Sequence, residues 1–299
     1  MAKNTPGIVV TGASGRMGRI VIQLLTQSSQ ARLAGAIVRP GHPWVGQDVG
    51  VAMGGAPVGV CVASDPIEPI ASAQAIIDFT TPKATLNFAK LAGQSGTVHV
   101  IGTTGMTDEE VTALTFLARR SVQIHARNTS LGINLLTQLT KIVAKIMGEE
   151  VDIHITEKHH KHKVDAPSGT AWMLGEAAAE GRGVPLADML GHGWNHTRGA
   201  HKPGPMMHCS SIRAADIVCE HDVLFATTGE RITLSHVASD RTVFARGAIK
   251  AALWGMSKSP GQYNMADVFG LELRKNPRSA DTAQDMEHGD TRPLKTSFG

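Results

Sequence analysis

Six consecutive residues, Lys158, His159, His160, Lys161, His162 and Lys163, are all basic, and the chain runs on through Val164 and Asp165-Ala166-Pro167-Ser168-Gly169-Thr170. Imidazole and ammonium groups side by side can supply protons near neutral pH. The segment around Ser168, Gly169 and Thr170 reads as a helix start, whose free N–H groups and hydroxyls can grip a carboxylate. Together the two pieces form a site that would hold a small anion beside a proton donor. A solvated basic loop is the alternative. Metal binding within the run is disfavoured, because interleaved lysines repel a dication and no Cys or Asp completes a ligand set there.

A second chemical element lies near the start. Gly12-Ala13-Ser14-Gly15-Arg16-Met17-Gly18 follows a β-branched run at residues 8–11 and precedes apolar residues at helical spacing, namely Met17, Ile20, Val21, Leu24 and Leu25. Glycines at this junction permit a tight turn and close backbone approach to a pyrophosphate. The spacing is G-x-x-G-x-x-G, a departure from G-x-G-x-x-G, and an ordinary βα turn is the competing reading. Where an NAD site offers a carboxylate to the ribose, this chain has Val38-Arg39. Two guanidinium groups, from Arg16 and Arg39, match a 2′-phosphate better than a bare ribose. NADPH is therefore the preferred cofactor, with NADH left open. Gly102-Thr103-Thr104-Gly105 also follows a strand, where an open parallel sheet binds ligands, although a plain turn would look the same.

The elements that must position these residues alternate over the first 130 positions. Strands are expected at 8–11, 33–38, 58–62, 75–80, 98–101 and 122–125, with helices at 16–26, 84–91 and 108–120. Such alternation specifies a parallel sheet covered by helices on both faces. The pattern then changes. A helix at 131–147 leads to a strand at 151–157, a helix at 171–180, a Gly/His/Pro-rich loop at 191–205, strands at 217–225 and 231–237, and a helix at 245–254. The fold expected is α/β, a Rossmann-like dinucleotide-binding domain with a second α+β domain built on a mixed sheet. Residues 274–299 hold nine charges and little apolar periodicity, so a disordered tail is expected.

Composition sets outer bounds. The 299 residues carry 29 Lys and Arg against 26 Asp and Glu, a net +3 that argues against a nucleic-acid binder. Lys158, Lys161 and Lys163 alone equal that excess, so a near-neutral average conceals a local basic site. Three scattered cysteines give no disulfide framework, the N-terminus lacks a secretory pattern, and no apolar run reaches the roughly 18 residues of a membrane span. A cytoplasmic location is expected.

The string from Glu157 to Ala171 resembles the E-x-H-H-x-x-K-x-D-x-P-S-G-T-A signature of the dihydrodipicolinate reductase (4-hydroxy-tetrahydrodipicolinate reductase) family. Further matching pieces stand in the family's order: G-x-x-G-R-M-G from Gly12, I-D-F-T from Ile77, G-T-T-G from Gly102, N-x-S-x-G-x-N from Asn128, G-E-R from Gly229 and H-x-A-x-x-R-x-x-F-A-x-G-A from His236. The resemblance implies NAD(P)H-dependent reduction of 4-hydroxy-tetrahydrodipicolinate in lysine and diaminopimelate biosynthesis, without metal. It implies that Lys163 donates a proton and His159 acts beside it in acid/base or orienting work. His160, Ser168, Gly169, Thr170 and Thr104 would bind the substrate carboxylates, and Gly12, Gly15, Arg16, Met17, Gly18, Arg39, Phe79, Gly102 and Thr103 would line the cofactor site. It also implies a homotetramer, with residues 1–130 plus 241–273 binding the dinucleotide and 131–240 serving substrate and subunit contacts.

Several positions depart from the family pattern. Val38 stands where some members carry the ribose-binding acid, Thr81 where Arg is frequent, Thr129 where Phe is common, and Cys219 where glycine is common; Arg213-Ala214-Ala215-Asp216 and Met206-Met207-His208 also differ. A related reductase with another anionic substrate, or a non-enzymatic cofactor-binding protein, are the competing functions.

Overall fold

A computed structural model describes residues 5–191, 193–194 and 206–271. The first part alternates β1 (Gly7–Thr11), α1 (Arg16–Thr26), β2 (Arg32–Ile37), α2 (Val49–Ala52), β3 (Val62–Ala63), α3 (Ile67–Ala71), β4 (Ala75–Asp78), α4 (Pro82–Ser95), β5 (Val98–Ile101), α5 (Asp108–Leu117) and β6 (Val122–His125). β1 and β4 are buried along their whole length, the mark of central strands covered on both faces. α1 turns Val21, Ile22 and Leu25 onto Ile8 and Val10, each buried aliphatic side chain contributing about 1.5–3 kcal/mol.

The middle part comprises α6 (Leu131–Met147), β7 (Asp152–His159), α7 (Gly169–Arg182), α8 (Leu186–Met189), β8 (Met207–Arg213), β9 (Cys219–Thr227) and β10 (Glu230–Ala238). Its sheet has the order β10-β9-β7-β8, with β7 and β8 parallel and the other pairs antiparallel. Ile153, Ile155, Val223 and Phe225 form a core with Ile133, Leu136, Ala171 and Leu174 from α6 and α7. Side chains alternate strictly along β7, so the buried face that begins as core at Ile153 ends as Glu157 and His159.

The chain then returns. α9 (Thr242–Gly255), β11 (Gly261–Tyr263) and α10 (Met265–Phe269) bring Ala245, Ala248, Ala251 and Ala252 into the core of the first sheet. Small residues let the helix approach closely: a Cβ on Gly247 would stand 1.7 Å from the Thr129 carbonyl oxygen. With β11 in place the first sheet has seven parallel strands in the order β11-β6-β5-β4-β1-β2-β3. This is a Rossmann-like arrangement whose order reverses between β1 and β4, where such sheets open a ligand crevice.

Two features differ from expectation. The strand expected at 58–62 shrinks to β3, because Val58 and Gly59 donate their amides to Asp48 instead of to a neighbouring strand. Residues 207–213 form β8, which the alternation of Met207 and Cys209 with polar residues did not announce. The expected loop at 191–205 lies mostly, and the expected tail at 274–299 wholly, outside the described residues.

Candidate active site

The glycine turn is built as a cradle. Gly12 adopts φ +64°, and its carbonyl oxygen accepts from the Gly15 amide at 2.9 Å. A Cβ on Gly18 would sit 2.3 Å from the same oxygen, so glycine is required for the helix to pack against the turn. Gly15 caps α1 without a side-chain acceptor, which leaves the first amides of the helix for a ligand. These features fit a dinucleotide pyrophosphate. Gly12, Gly15, Arg39 and Phe79 line a cavity of about 530 Å³ that also includes Val38.

A cavity of about 440 Å³ lies between the two sheets. From the first come Arg16, Met17, Phe79 and Gly102; from the second, His159, His160, Lys163 and Thr170. Arg16, on the first turn of α1, lines the main cavity, and Arg39, beyond β2, lines the cavity at the glycine turn; Phe79 borders both. Thr103, Thr104 and Gly169 line a third cavity of about 420 Å³, joined to the main one through Arg127. Thr103 is also a strut: its hydroxyl accepts from the Thr80 amide and is paired with the Thr85 hydroxyl. That network continues to the buried Asp78, which accepts from Thr11, Thr80 and Thr85. Burial raises the pKa of Asp78, but its hydrogen bonds to His99 and the threonines outweigh this and hold it below the ordinary carboxylate value. The strand end that carries Phe79 is thereby fixed.

The protonating groups have their own support. Nδ1 of His159 lies 2.5 Å from Oε2 of Glu157, and Arg213 donates two hydrogen bonds to the same carboxylate at 2.9 and 2.6 Å. With Nδ1 engaged, Nε2 is the nitrogen left for a ligand. Burial pushes the Glu157 carboxyl up, yet the His159 and Arg213 contacts prevail and lower it to about 2. Lys163 lies 2.8 Å from Asp165, whereas Lys158 on the opposite face of β7 pairs with Glu220 and Asp222. Lys158 and His159 thus point to opposite faces, as the two-residue period of a strand demands, and the chain leaves β7 before His160.

Ser168 caps α7 through the Ala171 amide and also meets Nε2 of His221 at 3.2 Å. Its hydroxyl is already engaged, while Thr170 accepts from Asn128 and still faces the main cavity. His160 has a buried Nδ1 with no partner, and burial, then Arg241 and Arg16, depress its pKa. An unpaired polar atom at the cavity wall fits a site awaiting an anionic ligand.

Sequence reasoning gave no role to Glu157, His221 or Arg241. Glu157 was legible in principle, because E-x-H on a strand puts both side chains on one face. His221 stands opposite Glu157 across the antiparallel β7–β9 pair, and only strand register reveals that.

A parallel dinucleotide-type sheet meeting a mixed sheet that ends in His159, with Lys163 on the segment that follows, defines a two-domain α/β oxidoreductase. The family description "Dihydrodipicolinate reductase, N-terminus" matches residues 7–129, and "Dihydrodipicolinate reductase, C-terminus" matches residues 132–269. The chain belongs to the dihydrodipicolinate reductase family. It is 61% identical over 267 residues to the 4-hydroxy-tetrahydrodipicolinate reductase of Ruegeria pomeroyi, covering 89% of this chain and 98% of that one. The protein of the same name from Parvibaculum lavamentivorans is 50% identical over 266 residues, covering 89% of this chain and 98% of the relative. A solved dihydrodipicolinate reductase from a Paenisporosarcina species shares the fold, with a TM-score of 0.69, 22% identity and coverage of 88% of this chain and 98% of that one.

Proposed function

We propose that this chain is a 4-hydroxy-tetrahydrodipicolinate reductase of lysine and diaminopimelate biosynthesis, a cytoplasmic homotetramer that prefers NADPH. One observation carries the reading: Lys163 and His159 line the same cavity as Arg16, Met17, Phe79 and Gly102 from the dinucleotide side. In this reading the first sheet with its returning α9 and β11 holds the cofactor, and residues 131–240 hold the substrate and the subunit contacts.

The bound nicotinamide would supply hydride to the substrate ring. Lys163 supplies the proton, leaving its link with Asp165 to do so, and the substrate hydroxyl departs as water. His159, oriented through Nδ1 by Glu157, presents Nε2 to the ring. His160 and Thr170 hold one carboxylate in the main cavity, together with the amides at Ser168 and Gly169, and Thr104 closes from the adjoining cavity. Arg39 selects the 2′-phosphate, while Arg16 adds positive potential around His160.

The test is steady-state turnover with freshly generated 4-hydroxy-tetrahydrodipicolinate, following NADPH oxidation. Turnover is expected. Dinucleotide binding without turnover on this substrate would overturn the reading and favour a reductase of another small anion.

A further inference from the structure

Beside Lys163 lies a cluster that shares His159 with the reduction and adds two residues the reduction does not use. His159, Cys219 and His221 are buried, and one ligand atom of each lies within 4.8 Å of the others. The strands explain why. Cys219 and His221 occupy alternate positions of β9, facing the side on which Glu157 and His159 leave β7, and His221 is directly opposite Glu157 in the register.

The atoms are set for coordination. Cys219 Sγ and His221 Nδ1 are 3.5 Å apart, which is roughly the edge of a tetrahedron built with Zn–S of about 2.3 Å and Zn–N of about 2.0 Å. His221 Nε2 is turned to Ser168 Oγ, and His159 Nδ1 to the Glu157 carboxylate. Each imidazole therefore has its rear nitrogen engaged and its other nitrogen free, the carboxylate–histidine arrangement that orients metal ligands. His159 and Cys219 both line the main cavity, so a fourth position would open onto it. The lysine repulsion inferred from the sequence is weakened in the fold, since Lys158 and Lys163 are each paired with carboxylates.

We infer that His159, Cys219 and His221 form a three-ligand site for a soft or borderline divalent cation of the Zn²⁺ class, whose occupancy blocks substrate by engaging His159. One thiolate and two neutral imidazoles suit Zn²⁺ better than Mg²⁺ or Ca²⁺. Binding displaces the Cys219 proton to solvent. The cation would act as an inhibitor, competitive with the dicarboxylate.

The test uses the full chain, freed of metal and titrated with Zn²⁺ by calorimetry and with Co²⁺ by absorption. Wild type should bind about one cation and show a cobalt–thiolate charge-transfer band. Cys219→Ala should lose that band, bind Zn²⁺ on the order of a hundredfold more weakly, and keep its turnover while resisting Zn²⁺. Cys61→Ala should behave as wild type. Cys219→Ser replaces Cys219→Ala should the latter fail to fold. Absence of the band in wild type, or unchanged Zn²⁺ affinity after loss of the Cys219 thiol, overturns the site. The spectroscopic arm reads independently of which substrate the enzyme reduces.

Discussion

Glu157, fully buried at the end of β7, holds His159 through a 2.5 Å contact to Nδ1 while Arg213 grips the same carboxylate from β8. Removing one partner of a buried charge pair typically costs about 3–5 kcal/mol, so Glu157→Gln should lower the melting temperature as well as activity. Its folded pKa of about 2 lies below its ordinary 4.5. The ionised carboxylate therefore stabilises the fold above about pH 4.5, and this contribution, about 3 kcal/mol, is lost as pH falls toward 2. Denaturation from pH 6 to 2 should show a shallower acid loss in Glu157→Gln. An unchanged slope would remove Glu157 from this role.

His221 acts in a higher window. Burial, with the nearby His159 charge, pushes it from 6.5 to about 3. Its unfolded form takes up a proton below pH 6.5 while the folded form resists, so stability falls with decreasing pH from 6.5 toward 3, by about 1.4 kcal/mol per unit. His221→Asn should flatten the stability curve between pH 6 and 4. Urea midpoints across that range supply the measurement.

Lys163→Ala should reduce kcat by about 10²–10⁴-fold, the usual worth of general-acid help, and leave NADPH affinity within twofold of wild type. Cofactor fluorescence and initial rates separate the two quantities. Full turnover in the variant would assign the proton to another group.

Gly18→Ala places a methyl group 2.3 Å from the Gly12 carbonyl oxygen, a backbone atom that cannot swing away. Overpacking of this kind costs about 1–3 kcal/mol. The variant should lose thermal stability and bind NADPH at least about tenfold more weakly, both measurable by thermal shift with and without cofactor.

Arg39→Ala separates the two nicotinamide cofactors. Arg39 lines the cavity beside Val38, away from the protonating groups. Its loss should lower kcat/KM for NADPH about tenfold, leave that for NADH nearly constant, and leave kcat unchanged. Equal loss with both cofactors would mean that Arg39 does not read the 2′-phosphate.

The main alternation of strands and helices over the first 130 residues was legible because the strands are rich in buried aliphatic residues and the longer helices carry a 3.6-residue period, whereas the short α2 and α3 were too brief to show one. β8 was not, since Met207 and Cys209 are its only buried apolar side chains and its remaining apolar residue, Ile212, is exposed among polar ones. At the site, His159 and Lys163 stood out by composition alone. The separation of His159 from Lys158 depended on strand alternation, and the approach of Cys219 and His221 on register between distant segments, which local sequence does not encode.

The return of α9 to the first sheet has a consequence for biosynthesis. Synthesis through residue 240 completes the mixed sheet but leaves the aliphatic face met by Ala245, Ala248 and Ala251 bare, and the main cavity without Arg241 and Phe244. A ribosome that has released the first 130 residues has therefore not released a foldable cofactor domain. Truncation at the C-terminal helix would be read first in the N-terminal sheet, more than a hundred residues away along the chain.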